Sequence, residues 1–186
     1  MQAQDRRVKR THSLLSNALI KLTLEKGYDA VTIRDITEQA DIGYATFFRH
    51  YKDKDILLHE VLDVVLAEMI ALLPHGSASD SAEVGTLIFK YVQEHQDVIQ
   101  VLLRTRGSSD LLQHMLESGS ESILHKNKPR PGSPVPAEVA AYHIVSSSIA
   151  LIQWWLDHDR PYPPEQMGII YQELIANPTS KTAFLA

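Results

Sequence analysis

Eight consecutive residues, Tyr44-Ala45-Thr46-Phe47-Phe48-Arg49-His50-Tyr51, join hydroxyl, aromatic, small and cationic side chains in a stretch one helix can hold. On a helix Phe47 and Tyr51 lie at i, i+4 and share an inward face. Tyr44, Ala45, Thr46, Phe48, Arg49 and His50 then face outward. That face offers hydrogen-bonding groups, methyl groups and positive charge, without the Glu/Lys scatter of an ordinary solvated surface. Such chemistry suits base edges and phosphates rather than bond breaking. The spacing alone also fits a plain helical hairpin in an all-α core. The competing class is an enzyme on a helical bundle, which needs a convergent set of acids, bases or ligands. No HExxH, phosphate-cradling glycine loop, GxSxG or cysteine nucleophile occurs in the chain. His59 and Asp63, at i, i+4, have no third metal ligand in register, so no metal or other cofactor is expected.

The elements around this stretch must hold it. Thr32 suits the N-cap of a preceding helix, with Asp35 three positions on in capping-box style. Ile33, Ile36 and Ala40 recur at helical spacing, and Asp41-Ile42-Gly43 then breaks the pattern. Two short helices joined by a tight turn make a helix-turn-helix, whose second helix enters the DNA major groove. Asp53-Lys54-Asp55 opens the next helix and places a lysine at a helix N-terminus, a phosphate clamp.

The chain has 186 residues, 44% of them hydrophobic, with no cysteine and a formal charge of −5. That permits one or two small domains and excludes disulfides, thiol catalysis and Cys-based zinc. The charge is uneven. Residues 1–55 hold ten Lys/Arg against eight Asp/Glu, and the remainder eight against fifteen. Arg6, Arg7, Lys9 and Arg10 stand against Asp5 alone in the first ten residues, as a basic DNA-contacting arm. No apolar run is expected to span a bilayer and no signal peptide is evident, so a cytoplasmic location without membrane partners is expected.

The periodicity predicts an all-α fold of about nine helices. Helix one runs from about Arg6 to Lys26, with Leu15, Ala18, Leu19 and Leu22 inward and Gly27 ending it. Helix four covers about 53–73, and Pro74–Ser79 forms the softest boundary. Further helices are expected over about 82–95, 98–103 and 110–124, with Gly107-Ser108-Ser109 as an interruption. A loop with four prolines, Pro129 to Pro136, precedes a long helix ending near Asp157. The last helix begins near Pro164 and stops before Asn177-Pro178.

One recognition helix reads only a few base pairs, so a helix-turn-helix protein needs a second copy to bind half-sites about 34–36 Å apart. The last two long helices are the candidates for a four-helix interface between subunits.

Ala40-Asp41-Ile42-Gly43, the octet 44–51 and Lys54-Asp55-Ile56-Leu57-Leu58 resemble, nearly position by position, the DNA-binding domain of the TetR family of transcriptional regulators. Gly27-Tyr28 and Val31 to Ile36 fit the same pattern. The resemblance covers the first third of the chain and implies a helix-turn-helix domain over 1–54, extending to about 68. Residues 55–186 would then sense ligand and dimerise. It implies DNA contacts by Thr32, Arg34, Gly43, Tyr44, Ala45, Thr46, Phe48, Arg49, His50 and Lys54, with bases read around 43–46. Phe48 is a departure, since the family usually has a phosphate-bonding tyrosine there. The resemblance further implies a homodimer on a palindromic double-stranded operator, acting as a repressor released by a small hydrophobic or amphipathic effector. Phe89, Tyr91, His95, Met115, His143 and Trp154 are the expected pocket. Ala141, Val145, Ser148, Ile149, Ile152, Met167, Ile170, Tyr171 and Leu174 are the expected dimer interface. Trp154-Trp155-Leu156 and Pro161 to Met167 resemble a branch that includes a co-activator of a dihydroxyacetone kinase operon. That likeness keeps open an activator controlled by a protein partner, and an architectural DNA-binding protein without sequence preference is a third reading.

Overall fold

A computed structural model describes residues 2–72, 81–105 and 109–185, all helices and connections. The expected loop over 74–79 and the break at 107–108 lie outside the described residues. The helices are α1 (Gln2–Lys26), α2 (Ile33–Gln39), α3 (Tyr44–Phe47), α4 (Lys54–Leu72) and α5 (Ser81–Glu94). Then follow α6 (Gln96–Arg104), α7 (Ser109–Lys126), α8 (Ala137–Asp157), α9 (Pro164–Tyr171) and α10 (Asn177–Ala183). A single β-bridge, Pro129 with Phe184, is the only extended pairing among the described residues.

Two compact units emerge. The first comprises residues 1–64 with 97–111, and the second 65–96 with 112–186. The first is built on Leu15, Leu19, Ile36, Phe47, Leu57 and Leu62, all fully buried. Helix α1 stops at Gly27, whose φ of +80° a side chain would strain, and the Gly27 amide donates to Thr23 at 2.9 Å. Arg6, Arg7, Lys9 and Arg10 lie in the opening turns of α1 rather than on an extended arm, because the helix begins earlier than the expected Arg6.

The second unit is centred on Trp155 and Phe89, whose rings meet edge to face at 5.1 Å. The Trp155 indole N–H donates to the Tyr162 carbonyl at 2.9 Å. Helices α5 and α9 cross with backbones touching at Gly85 and Gly168. A Cβ on Gly168 would sit 2.3 Å from Thr86 Oγ1 and 2.5 Å from the Ala82 carbonyl.

Two expectations are corrected here. The last helix does not stop before Asn177-Pro178. It continues through a π turn, Gln172–Ala176, into α10, with the Asn177 amide reaching back to the Gln172 carbonyl. Widening the helix by one residue there accommodates a proline that lacks an N–H and would crowd the preceding turn. Counting α9 to α10 as one run gives nine helical rods among the described residues. The second correction concerns α8, which is long and apolar enough by length and composition to cross a membrane, although 33% of that window is buried within the fold. Its run of Ala, Ser and branched residues has no interior charge, and the buried part packs Ala140, Ala141, Ile144, Ile152, Trp155 and Leu156 into the second unit.

Gly168→Ala should therefore destabilise the protein by about 1–3 kcal/mol through overpacking. Urea titration followed by circular dichroism would register this as a lower midpoint, and an unchanged midpoint would show that the α5–α9 crossing relaxes freely.

Candidate nucleic-acid interface

The interface begins with the cap of α2. The Thr32 hydroxyl accepts from the Asp35 amide at 3.2 Å and donates to Asp35 Oδ2 at 2.7 Å, while Asp35 Oδ2 also accepts the Thr32 amide at 2.8 Å. Lys26 of α1 donates to the same carboxylate oxygen at 2.7 Å. The Lys26 ammonium first, and the Thr32 donors with it, hold the Asp35 carboxyl far below the usual carboxylate range. Four residues, 40–43, turn the chain into α3, with Asp41 at φ 53°, a conformation that aspartate tolerates better than most residues.

Helix α3 is four residues long, shorter than the expected run to Tyr51. Its chain continues through turns in which Arg49 donates to Thr46 and both His50 and Tyr51 donate to the Phe47 carbonyl. Phe47 and Tyr51 point inward, 0% and 2% exposed. Tyr44 and Phe48 point outward, 55% and 48% exposed, with rings 5.2 Å apart edge to face. Gly43, Ala45 and Arg49 are also exposed, and Thr46 is half-buried. The Arg49 guanidinium donates to Thr46 Oγ1 at 2.6 Å, so these two side chains form one surface. Arg34 is exposed on α2, with Glu38 3.4 Å away at i, i+4. A solvent-screened pair of this kind is weak enough to exchange for a phosphate.

Gly43 is not required by the fold. A Cβ there would meet only Thr46 Oγ1, at an ordinary 3.6 Å, and its φ of −59° suits any residue.

Two residues expected to grip phosphates are occupied inside the protein. Every polar group that Thr32 could offer is engaged by the capping box. Lys54 donates to the carbonyls of Tyr28 and Val31, both at 2.8 Å, and its ammonium lies 4.3 Å from the centre of the Tyr28 ring. The Tyr28 hydroxyl in turn donates to Asp55, and burial first, then Asp55, pushes its pKa well upward. Asp53 caps α4 by accepting the Ile56 amide at 2.9 Å. Lys54 is thus a strut between the turn after α1 and the start of α4.

His50 is half-buried. Its Nδ1 lies 3.2 Å from His12 Nε2, and His12 Nδ1 lies 2.6 Å from Glu60 Oε1. Neither His12 nor Glu60 was expected from sequence, and no local pattern marks them, because they sit on α1 and α4 and meet only in the folded unit.

The residues expected to line an effector pocket differ in their surroundings. Phe89 and Met115 are core residues. Tyr91 donates to Glu68 at 2.7 Å and its ring lies 4.3 Å from that of His95, so these two do come together. His143 is exposed beside Ser147, and Trp154 is exposed and stacked on His158 at 4.6 Å. A cleft of about 480 Å³ lies in the first unit, lined by Thr23, Leu24, Tyr28, Gln100, Val101 and Arg104 among others, and none of the six reaches it. Of the expected dimer residues, Ala141, Ile152, Met167 and Tyr171 are buried in their own subunit. Val145, Ser148, Ile149 and Ile170 are half-buried, and Leu174 is 67% exposed. The exposed apolar side chains that sequence reasoning missed on these helices are Val139, Tyr142 and Ile169. Their spacing from Leu174 and Ile149 carried the signal, but apolar residues on both sides of α8 hid it.

Two outcomes follow. A carboxyl with a depressed folded pKa stabilises the fold fully above its unfolded value and loses that contribution as pH falls through the folded value. Asp35→Asn should accordingly lower stability at neutral pH and flatten the loss of stability below about pH 4, measured by thermal melts across the acid range. Lys54→Met should cost about 1–3 kcal/mol of folding stability, because two bonded carbonyls lose their donor. Chemical denaturation would expose the error if Lys54→Met were as stable as the parent.

Comparison with known proteins agrees with this geometry. Residues 15–61 match the sequence profile of the TetR family of bacterial regulatory proteins, and residues 80–177 match that of a transcriptional regulator C-terminal region. An uncharacterised helix-turn-helix transcriptional regulator of Bacillus subtilis, YxbF, is 31% identical over 172 residues, covering 88% of this chain and 44% of that protein. The chain thus spans about half the length of the curated relatives it matches. Among solved structures, a TetR-family regulator from Syntrophomonas wolfei superposes with TM-score 0.73 at 19% identity, covering 92% of this chain and 95% of the other. The dihydroxyacetone kinase operon activator DhaS superposes with TM-score 0.65 at 14% identity, covering 93% and 98%, a likeness of fold alone. Matched over its helix-turn-helix and over more than half its length beyond, the chain belongs to the TetR family of transcriptional regulators.

Proposed function

We propose that this chain is a sequence-specific transcriptional repressor that grips a palindromic operator as a homodimer and lets go when a small apolar or amphipathic effector binds its second unit. The observation that carries the reading is the division of the octet 44–51. Phe47 and Tyr51 are sunk in the core, while Tyr44, Ala45, Phe48 and Arg49 are left in solvent. An isolated surface with two large exposed aromatics is costly in water, and base edges, thymine methyls and sugars are the partners that fit it. Gly43, Tyr44, Ala45, Thr46 and Phe48 read bases. Arg34, Arg49 and His50 position the helix on phosphates, joined by the basic opening of α1. Phe48 cannot supply a hydroxyl to a phosphate, and Tyr44 beside it takes that part.

Exposed Val139, Tyr142, Ile169 and Leu174, with half-buried Ile149, form the subunit interface, with apolar faces of α8 and α9 left uncovered in one chain. An effector near Tyr91 and His95 has to favour the DNA-incompetent arrangement. A hundredfold loss of operator affinity requires about 2.7 kcal/mol of differential binding. With chromosomal DNA as its partner, the protein works in the cytoplasm. A second reading, an activator controlled by a protein partner, is favoured by the Trp154–His158–Tyr162 stack, which lies on the surface rather than in a pocket.

Selection from a random duplex pool tests the main reading, and a two-fold symmetric motif is expected. Enrichment of no motif would leave an architectural DNA-binding protein. If a dimer neutralises six to ten phosphates, affinity should fall about 10³–10⁵-fold between about 50 and 200 mM salt. A flat salt response in fluorescence anisotropy would contradict this. Gly43→Ala should leave stability within about 0.5 kcal/mol of the parent yet weaken operator binding, because the added methyl meets DNA rather than protein.

A further inference from the structure

His50 belongs to a chain of side chains that the sequence does not foreshadow, and its chemistry is set by the far end of that chain. A carboxylate only accepts hydrogen bonds, so Glu60, 2.6 Å from His12 Nδ1, requires the hydrogen of His12 to sit on that nitrogen. The Nε2 of a neutral His12 is then a bare acceptor. The His50 Nδ1 opposite it, at 3.2 Å, must therefore be the donor. That leaves the remaining nitrogen of a neutral His50, Nε2, as an acceptor as well. It makes no hydrogen bond among the described residues, and an acceptor repels a phosphate oxygen.

One added proton changes this whichever ring formally carries it. If it resides on His50, both nitrogens of His50 are donors. If it resides on His12, His12 Nε2 becomes the donor, His50 Nδ1 the acceptor, and the single hydrogen of His50 moves to Nε2. Both arrangements present an N–H outward, and in both Glu60 balances the added charge through His12.

We propose that binding to duplex DNA takes up one proton per subunit on the His12–His50 pair, converting His50 Nε2 into a donor for a backbone phosphate, with Glu60 and His12 as the residues that position it. The inference rests on the DNA-binding reading above and deepens it. The groups facing His50 are His12 from α1, Glu60 from α4, and Arg49 and Tyr51 from its own segment. Burial first, then His12 and Arg49, holds the His50 titration below its ordinary value, with Glu60 opposing them. Free His50 is thereby biased toward its neutral form, and the approach of phosphate supplies the negative charge that retains the proton. Affinity rises as pH falls, because the bound state holds more protons than the free state.

Isothermal titration calorimetry with a random-sequence duplex at low salt, in two buffers of different ionisation heat, reads the proton count on the unaltered protein. Uptake near one proton per subunit is expected, and duplex affinity should gain up to about tenfold per pH unit for each subunit engaged as pH falls from about 8 to 6. His50→Gln, which keeps a donor but does not titrate, should abolish both the uptake and the slope. Glu60→Gln should move the same profile to lower pH, whereas a purely structural Glu60 would weaken binding equally at every pH. Zero uptake with binding intact, or a His50→Gln slope equal to that of the parent, overturns the proton coupling and leaves the DNA-binding reading standing. An unshifted Glu60→Gln profile overturns the relay. Failure to bind duplex at any pH overturns both readings together.

Discussion

A helix of four residues has no stability of its own, because nucleating a turn costs more than its few hydrogen bonds return. The outward surface of α3 and its trailing turns depends on the burial that compensates for that. Phe47 is fully enclosed by the core of the first unit, and Tyr51 nearly so. These two side chains place α3 and its trailing turns against α1 and α4, and the outward residues inherit their direction from that anchoring. Removing the anchor would not loosen one contact but dissolve the surface.

The polar interactions around α3 serve the same end by stiffening its surroundings. Lys26 ties the end of α1 to the cap of α2 through Asp35, and Lys54 ties the turn after α1 to the start of α4. Lys54, at the start of α4, reads in the sequence as a phosphate clamp, and Lys26 stands at the last turn of α1. Their internal bonds give them a different part, holding three helix ends at set separations so that Arg34, Arg49 and the exposed aromatics keep their spacing. A recognition surface reads bases by hydrogen bonds whose geometry tolerates little error, so rigidity behind the surface matters as much as the residues on it.

The second unit shows a different economy. Trp155, Phe89 and Met167 fill its centre, and the Gly85–Gly168 contact brings α5 and α9 closer than side chains would permit. The rigid crossing leaves apolar residues of α8 and α9 uncovered, among them Val139, Tyr142, Ile169 and Leu174. These uncovered residues lie on helices whose other sides are already packed, and only Leu174 among the strongly exposed ones belongs to the interface that the family resemblance implies.

By itself, the sequence determined the all-α class, the helix-turn-helix, the capping box at Thr32 and Asp35, the glycine stop at Gly27 and the inward pair Phe47 and Tyr51. Each depends on residues within a few positions of one another, and local spacing encodes local geometry. The family followed from the same short motif. What tertiary structure alone decided are the meetings between distant segments. Lys54 became a strut because Tyr28 and Val31 turn their carbonyls toward it, Trp154 and His143 faced outward because the opposite side of α8 was taken by the core, and the helix passed Pro178 through a π turn. His12, His50 and Glu60 lie on three separate segments and form one chain of contacts only after α1 and α4 pack around residues 44–51. No window of sequence contains that information, since it resides in which helix faces compete for the same interior.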